Sequence, residues 1–450
     1  MENLRDKLKS LGANLSKSSE KREKCVILPH KEEKEEKSSK AKCYLLPEAS
    51  EEKKTLPMRQ KHALESFLPV SFIPTPFGNA FVVEKEYVSG HRQGIVSLRE
   101  NVDWSVMLEW ERLEKQENAG FLFLDTETTG LERGTGTLVF LVGMGFWRAN
   151  RFRLLQFFLP EPIQEPAMLS RLAEVVPTFQ YIVTFNGKAF DIPILQSRYI
   201  LNTLRPPFNG LGHLDLLPLA RRLWKNRLPS RAMRDLERDI LKFSRSQEDI
   251  PGWMIPEVYL QYLKTKDPKP LLGVFYHNEM DIVSLAALAN YMDDLIHDPP
   301  HALHSESPDW IAVGHLYEDL GHTQKAIHLY QHSLEAGLPE RFIAPTLMSL
   351  AAIYKKEKNW PCAIALWEKA AKKGDVSACI EIAKFYEHQE KNYALSQKWA
   401  RLGKSLLSSL PKTMTSAREW TCDLNHREKR LQEKSQDNDQ ENPDFIRKVR

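Results

Sequence analysis

The sequence predicts an α/β domain, with a mixed central sheet flanked by helices, followed by an all-α domain of helical repeats. Three observations carry this. Between about residues 120 and 200, short β-prone runs give way to alternating helix, strand and helix spacing. After Pro299-Pro300 the chain turns helical throughout and internally repetitive. Between these regions, acidic residues stand at strand ends and helix starts, where an open α/β sheet gathers its ligands.

The elements follow in order. Residues 1–65 are rich in Lys, Glu and Ser, as in His30-Lys-Glu-Glu-Lys-Glu-Glu-Lys, and read as a disordered, charged segment. Residues 66–300 are expected to form the α/β domain. It opens with a β extension, where Ala80-Phe-Val-Val and Gly94-Ile-Val-Ser-Leu lie between turns. Phe121–Leu124, Leu138–Gly145 and Arg151–Phe158 read as strands joined closely enough for antiparallel pairing. Glu165–Val176 has helical spacing, Tyr181–Phe185 is a further strand, and Asp191–Ile200 is a helix with Pro193 in its first turn. Helices are expected over Leu214–Trp224, Ala232–Leu241, Pro256–Leu263 and Leu272–Ile296.

Residues 301–410 are expected to be repeats. Trp310, Gly314, Tyr317, Gly321, Ala326, Tyr330, Ser333 and Pro339 follow the tetratricopeptide spacing. Leu347, Ala351, Tyr354, Ala363, Trp367 and Ala370 repeat it. A third unit around Tyr386, Ala394 and Trp399 is degraded in spacing. Residues 411–450 read as a polar tail that frays.

Composition bounds the function. The 450 residues leave room for two or three domains. A formal net charge of +3 means that any nucleic-acid surface is local rather than global. The five cysteines include no Cys-x-x-Cys pair, so neither a disulfide framework nor a thiolate zinc site is indicated. The N-terminus lacks the apolar core of a secretory signal. The longest apolar run, Thr137 to Trp147, falls short of the ~20 residues that span a bilayer. A soluble, cytoplasmic protein is expected.

The chemistry concentrates in three segments. In Phe121-Leu-Phe-Leu-Asp-Thr-Glu-Thr-Thr-Gly130 an apolar strand ends in two carboxylates. Asp125 and Glu127 are two apart and share a face. At ~4 Å and an effective dielectric of ~20, two such charges repel by about 4 kcal/mol. Either one is protonated or a cation sits between them, unless the pair simply faces solvent. In Asn186-Gly-Lys-Ala-Phe-Asp191 a strand ends, Asn-Gly turns the chain, and Asp191 opens a helix, as cap or as ligand. In Tyr276-His-Asn-Glu-Met-Asp281, His277 and Asp281 are neighbours on one helix side, as a surface ion pair or as part of a site. Four carboxylates and a histidine suit two-metal phosphodiester hydrolysis, with hard oxygen ligands for magnesium and a neutral imidazole to take a proton.

These motifs, in this order, resemble those of the DnaQ-like, ribonuclease-H-fold (DEDD) exonucleases. Gly134-Thr-Gly-Thr-Leu-Val-Phe-Leu-Val-Gly143, Asp249-Ile-Pro-Gly252, Ile255-Pro-Glu257 and the His277-Asn-x-x-Asp281 ending are similar to the YprB family, which joins such a domain to C-terminal tetratricopeptide repeats. The resemblance implies a 3′→5′ exonuclease acting on DNA, in repair or processing, with two divalent cations, Mg2+ or Mn2+. By position it implies Asp125, Glu127, Asp191 and Asp281 as metal ligands and His277 as base, with Tyr276 as the fallback. Asp215, in His213-Leu-Asp, is taken as structural. Thr128, Asn186 and Lys188 are candidate nucleic-acid contacts. Arg198, Arg205, Arg221, Arg222, Lys225, Arg227, Arg231 and Arg234 are candidates to hold phosphates. A protein partner through the repeats, a helicase among the candidates, is a further expectation. Two alternatives stand beside this reading: a nuclease acting on RNA, and a binding scaffold with a retired active site.

Overall fold

The computed structural model describes residues 63–130, 136–409 and 415–441, with side chains of the last helix over 417–434. All of them belong to one unit, Lys61–Arg450. The charged N-terminal segment expected over 1–65 lies, but for its last three residues, outside the described residues, as do Gly134 and Thr135. Nine strands are described: β1 (Val70–Thr75), β2 (Gly78–Val88), β3 (Arg92–Gln93), β4 (Val96–Ser97), β5 (Phe121–Thr128), β6 (Val139–Arg148), β7 (Arg151–Phe158), β8 (Tyr181–Thr184) and β9 (Gly212–Asp215). Seven of these make one mixed sheet in the order β1-β2-β7-β6-β5-β8-β9. The three expected strands form its antiparallel centre, and β8 and β9 join in parallel. The β6–β7 turn is Ala149-Asn150, both with positive φ, as a two-residue hairpin between right-twisted strands requires. The N-terminal β extension adds β1 and β2 to one edge, against β7.

The helices of this region are α1 (Ser105–Trp110), α2 (Glu165–Val175), α3 (Asp191–Leu201), α4 (Leu216–Trp224), α5 (Met233–Leu236), α6 (Ile255–Thr265) and α7 (Leu271–His297). Side-chain alternation along β5 divides them. Leu122 and Leu124 enter an apolar cluster with α2, α3 and α6. Phe123 enters the opposite cluster, with α4 and α7. Asp125 and Glu127 continue the Phe123 face. Two expectations need correction here. Gly212–Asp215 is a strand, not the start of a helix over Leu214–Trp224. Four residues with one apolar side chain give no alternation to read, and pairing with β8 is what makes them a strand. Asp215 then caps α4, accepting from the Leu217 N–H at 3.1 Å. Within the Ala232–Leu241 stretch, α5 passes into a π-helical turn over Glu237–Leu241.

The chain beyond α7 is all helix: α8 (Ser307–Asp319), α9 (Thr323–Glu335), α10 (Glu340–Lys356), α11 (Trp360–Lys372), α12 (Val376–His388), α13 (Tyr393–Ser408) and α14 (Thr415–Glu441). They pack in sequential pairs. Ala326, Tyr330, Ala363, Trp367 and Ala370 are all buried where the two helices of a pair meet. In the third unit Ala394 is exposed, and Ser396, Ala400 and Gly403 take the inward positions. The polar tail does not fray over Thr415–Glu441. Leu424 and Leu431, seven residues apart, are fully buried on one helix face, and Arg427 between them reaches buried Glu387. Those few contacts are invisible in a mean composition. The first repeat is continuous with the α/β core, since one apolar cluster runs from α4 and α7 into α8, α9 and α10.

Candidate active site

The site is made where α7 crosses β5 and β6. The crossing needs two glycines. A Cβ on Gly143 would meet Asn278 Oδ1 at 2.4 Å, and one on Gly145 would meet Ile282 Cγ2 at 2.5 Å. Gly143 pairs with Asp125 across the sheet, so the closest approach of α7 falls beside that carboxylate. Asn278, fully buried, donates through Nδ2 to Asp125 Oδ2 at 3.0 Å. Its Oδ1 accepts from Gln156 Nε2 at 3.1 Å, and the same Gln156 nitrogen donates to the Phe275 carbonyl at 2.8 Å.

This docking carries His277 and Asp281, on the same stretch of α7, to the β5 carboxylates. One oxygen each of Glu127 and Asp281 and a ring nitrogen of His277 lie within 4.8 Å of one another. Asp191, at the first turn of α3, accepts from the Thr126 hydroxyl at 2.6 Å and so is tied to the same strand. Burial, followed by repulsion from Asp281 and Asp191, pushes the Asp125 and Glu127 carboxyls well above the usual carboxylate range. Burial also pushes Asp191 up to about 6, against the opposing hydrogen bond from Thr126. Crowded, poorly hydrated carboxylates of this kind are the donor set that a hard divalent cation satisfies, so the residues present fit such an ion.

Four residues that sequence reasoning gave no role complete the arrangement. Asp249 Oδ1 lies 2.8 Å from His277 Nδ1, and the Ile250 carbonyl lies 3.0 Å from the same nitrogen. Two acceptors on Nδ1 favour a proton there, although Arg245 Nη1 also lies 3.4 Å from that nitrogen. Nε2 faces Asp281 Oδ2 at 3.2 Å. Arg245, almost wholly buried, holds Asp281 through one amino group and grips Glu237 with two bonds of 2.8 Å. Asn278 is the fourth. The Asp249-Ile-Pro-Gly motif was a signal for one of them, but nothing local tells which side chain it serves. Tyr276, the fallback base, uses its hydroxyl to accept from the Ser246 N–H at 3.0 Å.

The other expected contacts are placed as follows. Asp215 accepts from the Asn186, Lys188 and Leu217 N–H groups, a structural clamp on the β8–α3 turn and on α4. Asn186 has φ 69° within that turn, and the Lys188 ammonium pairs with Glu111. Thr128 donates to the Gly130 carbonyl at 2.7 Å. Five of the basic residues expected to hold phosphates have protein partners. Arg198 binds Glu165 at 2.6 Å, Arg222 binds Asp319 at 2.5 Å, and Arg227 binds Asp309. Arg231 donates to the Leu228 carbonyl at 2.8 Å, and Arg234 binds Asp249 at 2.9 Å. Sequence charge runs do not show which cations are already neutralised in the fold.

The sheet order and the acidic cluster define a nuclease-like domain of the RNase H superfamily. Residues 122–293 match the family described as RNase_H superfamily. Over 322 residues, 69% of this chain and 76% of the relative, the sequence is 34% identical to the uncharacterized protein YprB of Bacillus subtilis (strain 168). The chain belongs to the YprB family. Among solved structures, a family B DNA polymerase from the hyperthermophilic archaeon Pyrobaculum calidifontis matches 53% of this chain and 34% of its own, at 15% identity and a TM-score of 0.31. This chain thus spans about a third of that polymerase's length. No helix among the described residues is long and apolar enough to cross a membrane.

Proposed function

We propose that the protein is a metal-dependent exonuclease that hydrolyses phosphodiester bonds of DNA in the 3′→5′ direction, with a role in repair or processing. The observation that carries the reading is the meeting of Glu127, Asp281 and His277 within 4.8 Å, beside Asp125 and Asp191. The choice of DNA and of polarity rests on the family resemblance. Asp125, Glu127, Asp191 and Asp281 would hold two divalent cations, Mg2+ or Mn2+. When bound, these would supply charge for the attacking and leaving oxygens of an in-line displacement.

The chain's own residues do the rest. Asp249 and the Ile250 carbonyl fix the imidazole tautomer, so that Nε2 of His277 can accept the proton of the attacking water. Arg245 orients Asp281 and offsets part of the repulsion among the carboxylates. Asn278 holds Asp125 by one oxygen, leaving the other for a cation. The helical region contributes in two ways under this reading. Its first repeat braces α4 and α7, and the later helices, with their own apolar cluster, offer a surface for a protein partner.

The test uses end-labelled single-stranded DNA, duplex DNA and RNA, with and without Mg2+ or Mn2+. Metal-dependent shortening from the 3′ end, lost in Asp125→Ala and Asp281→Ala, is the expected result. Preferential shortening of RNA would reassign the substrate. Metal-independent binding without cleavage of any substrate would overturn the reading in favour of a scaffold.

A further inference from the structure

The turn that fixes Asp249 against His277 carries another side chain, for which the hydrolytic chemistry has no use. Trp253 lies in the 3-10 turn Gly252–Met254 and is 80% exposed. The other nine tryptophans are buried or half-buried. An indole offers roughly 150–250 Å² of surface, and leaving it in water forgoes about 25 cal/mol for each apolar Å².

The turn is held on both sides. Upstream, Asp249 is fixed by His277 at 2.8 Å and by Arg234 at 2.9 Å. Within it, the Met254 N–H donates to the Pro251 carbonyl at 2.8 Å. Downstream, buried Ile255 opens α6, whose Tyr259 stacks on Phe140 with ring centroids 4.0 Å apart. The indole therefore stands on a pinned support.

Its position relative to the site follows from its neighbour. A Cβ direction drawn at Gly252 meets Cε1 and Nε2 of His277 at 3.9 Å. Nε2 is the nitrogen that faces Asp281. The Trp253 Cα is one step of ~3.8 Å further along the chain. The backbone that carries the exposed indole thus lies one residue from the point where the turn approaches the His277 imidazole.

We propose that Trp253 is a stacking platform for an unpaired nucleobase of a single-stranded nucleic-acid end whose phosphodiester lies at the carboxylates. The inference rests on the nuclease reading above. Every base presents a π face, so such a platform tolerates any sequence. Inside a duplex both faces of a base are covered by its neighbours, and the pairing partner holds even the terminal base in the helix, so the platform favours frayed or single-stranded ends. A protein partner is the less favoured occupant. The exposed apolar side chains next along the chain, Met254 and Leu260, are each only 38% exposed, whereas the preceding residue, Gly252, faces the His277 imidazole.

The experiment measures fluorescence anisotropy of a labelled single-stranded thymidylate oligonucleotide and of a blunt duplex, using the full chain with Ca2+ in place of the catalytic ion. Trp253→Ala should weaken single-strand binding about tenfold, Trp253→Phe should retain most of the affinity, and duplex binding should be the same in all three proteins. The proposal is overturned if Trp253→Ala binds the single strand as wild type does, if duplex binding falls equally, or if the wild type binds no single strand. Because binding is read without turnover, a wild type that binds through Trp253 but cleaves nothing would sink the nuclease reading and leave the platform standing.

Discussion

Substituting Gly143 by Ala tests whether the docking of α7 on the sheet makes the site. The added methyl would lie 2.4 Å from Asn278 Oδ1 and 2.9 Å from both Cγ and Nδ2. Ordinary contact begins at 3.4 Å, so the Asn278 side chain must retreat by about 1 Å. It has no free direction, being fully buried and bonded at one end to Asp125 and at the other to Gln156. Overpacking of this kind costs about 1–3 kcal/mol. Losing the bond to the Asp125 carboxylate adds about 1.5–3 kcal/mol. A destabilisation of about 2.5–6 kcal/mol is expected in denaturant unfolding. Because His277 and Asp281 ride on the same helix, a shift of ~1 Å should also lower turnover about a hundredfold. The double substitution Gly143→Ala with Asn278→Ala makes room for the methyl and should recover about 1–3 kcal/mol relative to additivity. If Gly143→Ala leaves stability and divalent-cation affinity at wild-type values, the close approach of α7 is not what assembles the site.

Two further perturbations follow from other parts of the molecule. Asp249→Asn should lower kcat about 10- to 100-fold with KM and overall stability little changed, and Asp249→Glu should restore part of it; equal turnover in all three would remove Asp249 from its positioning role. Glu387, gripped by Arg427, Arg430 and Lys434, is held down to about 2 by the hydrogen bonds and charges of those cations, which outweigh its burial. Its pKa is depressed on folding, so its contribution is complete above the ordinary value of ~4.3 and drains away as the pH falls toward 2. At ~1.36 kcal/mol per pH unit the contribution is at most about 3 kcal/mol, less for solvent screening of the partly exposed Arg430 and Lys434. Glu387→Gln should therefore melt lower than wild type near neutral pH, with the gap closing at acid pH; a gap independent of pH would refute the assignment.

Much of this protein is local and therefore legible. Short apolar, β-prone runs mark β5, β6 and β7, and the alternation of side chains along a strand puts Asp125 and Glu127 on one face without any tertiary information. The i, i+4 spacing sets His277 beside Asp281, and the repeated spacing from Trp310 to Ala370 falls on paired helices. Three kinds of fact lay beyond it. Strand β9 exists only because β8 lies beside it. The fate of each arginine depends on which carboxylate the fold brings near, as with Arg227 and Asp309, 82 residues apart. The partners that turn a set of acidic motifs into an ordered site, Asn278 on Asp125 across 153 residues and Asp249 on His277 across 28, are set by where α7 lands. Sequence pattern reports which side of an element a residue occupies, because that depends on backbone geometry a few residues long. It does not report which distant element covers that side, because that depends on packing the whole core at once. The sequence by itself therefore determined the acidic motifs and their faces, and only the tertiary structure decided which neighbours hold them.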